Sequence, residues 1–274
     1  MFYQKHKPMS DKEFQDRMWK LPEPPNNSAP PQWDYWRHDL WGRGVNGFDP
    51  KGFAGWPCIY HTMRVDHWRD ATDQECAALR KEAPDLLAVC EMPVFGYPKD
   101  YYEGVYSAAL IHQAHHLLLL RKHLGIHPAS MDTIFEFGGG YGAMALVIRR
   151  LGFKGDYTIM DLPEFALLQQ YFLSNNEVWN VKWTGAIDHT STEPYDLFIA
   201  CYSLSEVDYE MRQRTLSAFP SSNYLFLYTN RFASYDNEAY FFDILPKTWQ
   251  GHEWEWIPAK HLPVKNYYSF GRRR

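Results

Sequence analysis

Cysteine is scarce in this 274-residue chain: Cys58, Cys76, Cys90 and Cys201 are the only four. They are too few and too scattered for a disulfide framework, and none forms a Cys-x-x-Cys pair. Long apolar runs are missing as well. Nothing approaches the roughly 18 residues needed to span a bilayer, and Met1 to Lys7 is not followed by the apolar core of a signal peptide. The expectation is a cytoplasmic protein without a membrane partner. Basic excess is absent too, since a formal charge of −5 offers no field for a phosphate backbone, and no duplex nucleic acid is expected as a partner.

Against these absences stands one dense feature, Glu136-Phe137-Gly138-Gly139-Gly140-Tyr141-Gly142. The preceding Thr133-Ile134-Phe135 reads as the end of a strand, and Ala143 to Ile148 as the first turns of an apolar-faced helix. Glycines in such a loop permit positive φ and remove the Cβ atoms that would keep a ligand at a distance. Glu136, two positions before the first glycine, would repel a pyrophosphate but would give an ammonium group a charge-assisted hydrogen bond. The free N–H groups at the helix start would suit a carboxylate. S-adenosyl-L-methionine carries both groups on its methionine half. Asp156 to Met160 reads as a second strand ending at Asp161, roughly 20 residues past the loop, where an acid can hold ribose hydroxyls. Gly138, Gly140 and Ala143 also fit the looser G-x-G-x-x-A pattern, so an NAD(P)-dependent Rossmann-fold oxidoreductase stays open as the alternative. Glu136 argues against it, as does a Tyr-x-x-x-Lys pair found only at Tyr3 and Lys7.

On these residues the chain resembles the class I S-adenosylmethionine-dependent methyltransferases, and within them the sugar O-methyltransferase family. The likeness is carried by Phe135 to Gly142, by Met160-Asp161-Leu162-Pro163, and by Tyr195 to Ala200 followed by Ser203-Leu204-Ser205-Glu206. The resemblance covers roughly the second half of the chain. It implies an α/β Rossmann-like doubly wound sheet of seven strands, with a helical or loop-rich aromatic N-terminal extension. It also implies Glu136 on the methionine amino group, Gly138 and Gly140 beside the cofactor, and Asp161 on the ribose. Gly139, Tyr141, Gly142 and Leu162 complete these two segments. No Asp-Pro-Pro-Tyr or Asn-Pro-Pro-Tyr occurs, which disfavours adenine amino-methylation, and Cys201 lacks the preceding proline of a cytosine C5 methyltransferase. Cys201 reads instead as a small residue lining the cleft.

The remaining segments suggest three parts: an arm and Pro-rich linker over 1–32, an aromatic and glycine-rich cap or substrate-access region over 33–105, and the cofactor domain over 106–274. Asp11 to Lys20 has helical spacing at Phe14, Met18 and Trp19, a short helix able to dock on the body or on another subunit. Trp33 to Phe48 offers flat aromatic faces suited to sugar rings, so the expected partner is a small-molecule or glycan acceptor. Helices are expected over Thr72 to Ala83 and Tyr106 to Leu124, and an amphipathic one from Pro163 to Leu173. Strands are expected over 178–183, 196–200 and 224–229, with an antiparallel pair near Trp254 and Tyr267. The turn after the third strand brings Ala186 and Ile187 to the expected adenine position. A hydroxyl acceptor wants a base, for which Glu206 and His189 are the candidates. His112 and His116, spaced i, i+4, read as structural, and no metal is assigned, although Asp188, Glu206 and Asp208 form a conceivable oxygen set. A non-catalytic protein that kept the fold is the third reading.

Overall fold

Alternating apolar residues after residue 130 build a sheet covered on both faces. The computed structural model describes residues 7–26, 32–63, 68–93, 95, 101–185, 187 and 190–274. Its main sheet has seven strands: β1 (Thr133–Phe137), β2 (Asp156–Met160), β3 (Val181–Thr184), β4 (Tyr195–Cys201), β5 (Ser221–Thr229), β6 (His252–Pro258) and β7 (Asn266–Arg273). Their spatial order is β6-β7-β5-β4-β1-β2-β3, with β7 antiparallel to both neighbours and the strands from β5 to β3 mutually parallel. This is the doubly wound sheet closed by an antiparallel pair that the sequence predicts. The strand order reverses between β1 and β4, and in open α/β sheets that switch point opens the ligand crevice.

The longer helices are α1 (Asp11–Lys20), α2 (Gln32–Val45), α3 (Arg69–Glu82), α4 (Ala108–Leu124), α5 (Ala143–Arg150), α6 (Pro163–Asn175) and α7 (Tyr209–Ala218). Period-two alternation divides the sheet between two cores. Ile134, Tyr157, Ile159, Leu197, Ile199, Leu225 and Tyr268 share one core with the helical layer. Phe135, Met160, Phe198, Tyr224 and Phe226 enter an aromatic core with Phe219 and Phe241. Helix α4 begins at the Ser107 cap and ends at Gly125 in the left-handed conformation, packing against α5 and β7.

The structure adds four details to these expectations. The Trp33 to Phe48 stretch is largely the helix α2, the helical of the two forms expected for the extension. Its glycines disguise it, yet Gly44 is required, because a Cβ there would meet Met18 Cγ at 2.4 Å. Helix α1 buries Phe14 and Met18 on its own chain, against α2 and α6, while Trp19 is 70% exposed. Helix α6 is not amphipathic in effect. Its outer side is covered by α1 and α2, and Glu164, 1% exposed, is held by Arg37 of α2 in a two-pronged ion pair at 3.1 and 3.2 Å. Finally, Arg272 and Arg273 are exposed, while their backbones pair within the β6–β7 ladder. No helix among the described residues is long and apolar enough to cross a membrane.

Candidate functional site

The glycine loop leaves β1 at the switch point. Gly138, Gly140 and Gly142 all have positive φ, at 72°, 58° and 101°. A Cβ on Gly138 would lie 2.3 Å from Ser203 Cβ, and one on Gly139 would lie 2.8 Å from Ile159 Cγ2, so the backbone passes where no side chain fits. Ser203 Oγ donates to the Phe137 carbonyl, which ties the loop to the end of β4. Tyr141 is buried against Phe53 and Phe172, fixing the loop to the N-terminal layer.

Two carboxylates flank this loop. Glu136, 5% exposed, accepts a hydrogen bond from Tyr157 Oη at 2.8 Å, and burial pushes its carboxyl up to about 8. Asp161, at the end of β2, is likewise pushed up to about 7 by burial. Its oxygens accept from the Leu162 N–H at 2.8 Å, from Gln169 Nε2 at 2.6 Å and from the Gly139 N–H. A carboxylate has about four acceptor sites, so about one remains for an incoming hydroxyl unless Gln169 turns away. Each acid also raises the proton affinity of its environment, and the negative field of Asp161 acts on Glu136 directly.

Gln169 is the residue that sequence reasoning missed here. Fully buried on α6, it donates through Nε2 to the Gly140 carbonyl at 2.9 Å as well as to Asp161, and accepts from Trp183 Nε1 at 3.0 Å. The available signal was a glutamine on the inward side of an apolar helix, eight residues past the acid.

At the end of β4, Cys201 is partly buried and its thiol is pushed far up by burial, so it stays protonated and inert. Tyr202 follows with φ 70°, and its buried hydroxyl has no hydrogen-bond partner among the described residues. Glu206 closes the one-turn 3₁₀ helix Ser203–Glu206. Burial pushes its carboxyl up to about 7, and the Trp33 indole donates to it. It does not cap α7, a task done by Asp208, whose Oδ1 accepts from the Met211 N–H at 2.7 Å. Asp208 is thereby occupied. Ile187 packs beside the aromatic core that includes Met160. Ala186, Asp188 and His189 lie outside the described residues. His112 and His116 turn to different partners, Glu75 at 2.7 Å and Tyr268 Oη at 2.9 Å.

No family model matches this chain, and no curated protein matches it. Solved structures with a similar course include a Pyrococcus horikoshii protein proposed to be an RNA methyltransferase, at 15% identity and TM-score 0.46, covering 70% of this chain and 96% of that one. A ribosomal protein L11 methylase of Lactobacillus delbrueckii subsp. bulgaricus follows at 12% identity and TM-score 0.43, covering 60% and 80%. The N-methyltransferase NodS of Bradyrhizobium japonicum, solved with S-adenosyl-L-homocysteine, stands at 13% and 0.40, covering 58% and 85%. It is the strand order and register described above, not these likenesses, that define the fold as Rossmann-like and doubly wound.

Proposed function

We propose that this chain is an S-adenosylmethionine-dependent methyltransferase acting on a hydroxyl group of a sugar or glycoconjugate. The observation that carries the cofactor reading is the pair of buried acids, Glu136 and Asp161, on either side of a loop with three positive-φ glycines. With its acids ionised, such a loop would repel the pyrophosphate of a dinucleotide and receive an ammonium and a ribose. Glu136 would hold the amino group, Gly138 and Gly140 would admit the chain of the ligand, and Asp161 would accept from the ribose. Ile187, packed on the core that includes Met160, would supply apolar surface for the adenine. When bound, S-adenosylmethionine supplies an electrophilic methyl group on a sulfonium.

The acceptor reading is supported by the meeting of Trp33 with Glu206. Trp33 belongs to the aromatic segment, packs edge-on against Phe165 and donates to Glu206, which places an aromatic face beside a carboxyl poised near neutral pH. A hydroxyl acceptor loses a proton as its oxygen takes the methyl carbon, and Glu206 is the group to hold that proton. The protein's contribution is to align, dehydrate and deprotonate the acceptor. Isothermal titration with S-adenosylmethionine, S-adenosylhomocysteine, NAD and NADP tests the cofactor. Micromolar binding of the adenosyl ligands alone upholds the reading and leads to a panel of nucleotide-sugar and glycan acceptors. Binding of the nicotinamide ligands alone overturns it, and cofactor binding without turnover on the panel counts against the hydroxyl acceptor.

A further inference from the structure

Away from the glycine loop, five ionisable side chains converge where α3 and α4 meet the β6–β7 connection. Glu75 of α3 is 1% exposed, and its Oε1 lies 2.7 Å from His112 Nδ1, 3.0 Å from His261 Nε2 and 3.8 Å from His115 Nδ1. His116 stands beside them with its ring 4.3 Å from that of His112. We infer that Glu75, His115 and His261 form a binding site for a divalent transition ion of the zinc class.

The chemistry fits. Among the described residues this is the one group of three or more such side chains whose ligand atoms lie within 4.8 Å of one another. A tetrahedral ion with bonds of about 2.1 Å has ligand edges of about 3.4 Å. The two distances from Glu75 Oε1, 3.0 and 3.8 Å, fall either side of that edge. His115 Nδ1 is buried and has no hydrogen-bond partner among the described residues, so a lone pair is on offer inside the cluster. His112 donates to the same carboxylate from outside the triad, the outer-shell arrangement that orients metal-bound groups. Three protein ligands leave a fourth position for water, and the side chains of His115 and His261 keep 10% and 14% exposure through which an ion can enter.

Imidazole and a single carboxylate select borderline ions, not magnesium or calcium. The site is independent of the methyltransferase reading, because its ligands are not those of the glycine loop. The test uses the full chain stripped with chelator, then titrated with Zn²⁺ and separately with Co²⁺, the latter followed by its visible ligand-field absorption. One ion per chain, with His261→Ala and His115→Ala each weakening it at least tenfold, is expected, while His123→Ala, which alters a surface pair with Glu255, leaves binding unchanged. His261 lies in a connection, so His261→Ala answers the question even where His115→Ala unfolds, with circular dichroism reporting the fold. Failure of the folded wild-type chain to bind Zn²⁺ at equimolar concentration overturns the inference. So does undiminished binding in the folded His261→Ala variant.

Discussion

The raised proton affinity of Glu136 has a measurable signature in ligand binding. The free site holds this carboxyl at about 8, whereas an ammonium ligand needs it ionised. The amino group of S-adenosylhomocysteine titrates near the ordinary α-amino value of about 7.7–8.0. The productive pair is therefore a deprotonated Glu136 with a protonated amine, and its population peaks close to pH 8. From pH 8 to pH 6 the ionised fraction of Glu136 falls from about one half to about one hundredth while the protonated fraction of the amine rises from about 0.4 to about 1, so affinity drops about 20-fold, and it falls again above pH 8 as the amine loses its proton. Titration calorimetry of S-adenosylhomocysteine across pH 6–9 reads this directly. 5′-Methylthioadenosine, which lacks the amino-acid half, is the control and should show none of the bell shape. Stability follows the same linkage with its own sign. A carboxyl at about 8 when folded, against an ordinary 4.5, favours the folded chain fully below pH 4.5 and loses that contribution as pH rises through 8. Ligand-free melting temperature should therefore decline from pH 5 to pH 8, and Glu136→Gln should flatten the decline. A flat affinity profile for S-adenosylhomocysteine, or an unchanged profile in Glu136→Gln, would refute the assignment of this residue.

Gly138→Ala puts a methyl group 2.3 Å from Ser203 Cβ at a φ of 72°, and should cost roughly 2–4 kcal/mol in urea unfolding and abolish cofactor binding. Arg37→Met leaves Glu164 buried without its fork, for an expected loss of roughly 3–5 kcal/mol; adding Glu164→Leu should recover most of it, and a chemical denaturation series on both variants decides. Glu206→Gln should lower the methyl-transfer rate by roughly 10²–10⁴ with little change in cofactor affinity, and a rate within threefold of wild type would remove it as the base.

The second half of the chain was legible because its periodicities are clean. Ile134 and Phe135, or Leu197 and Phe198, alternate between two cores, and the glycine loop cannot be mistaken for a helix. The N-terminal layer was not, since helix α2 carries Gly42 and Gly44 among tryptophans, and the space that makes Gly44 necessary belongs to Met18 of another helix. Polar residues misled for a related reason. Glu164 and Gln169 look like the wet face of α6, yet they meet Arg37 and the glycine loop. The histidine cluster was beyond local reading altogether, as Glu75 and His261 stand 186 positions apart and only the packing of α3 and α4 under the last connection joins them.

Helix α6 touches both halves of the molecule, with Glu164 clasped by the N-terminal layer and Gln169, five residues on, bonded to the Gly140 carbonyl and Asp161. A single rigid rod thus registers the position of the aromatic layer against the floor of the glycine loop. Binding equilibria that share such a rod are reciprocal: whatever factor the seated N-terminal layer adds to affinity at the loop, an occupied loop returns to the seating of that layer. The first forty-five residues therefore belong to the thermodynamics of the loop although none of them lies in it. Their attachment would be felt as a change in ligand affinity before any change in chemistry.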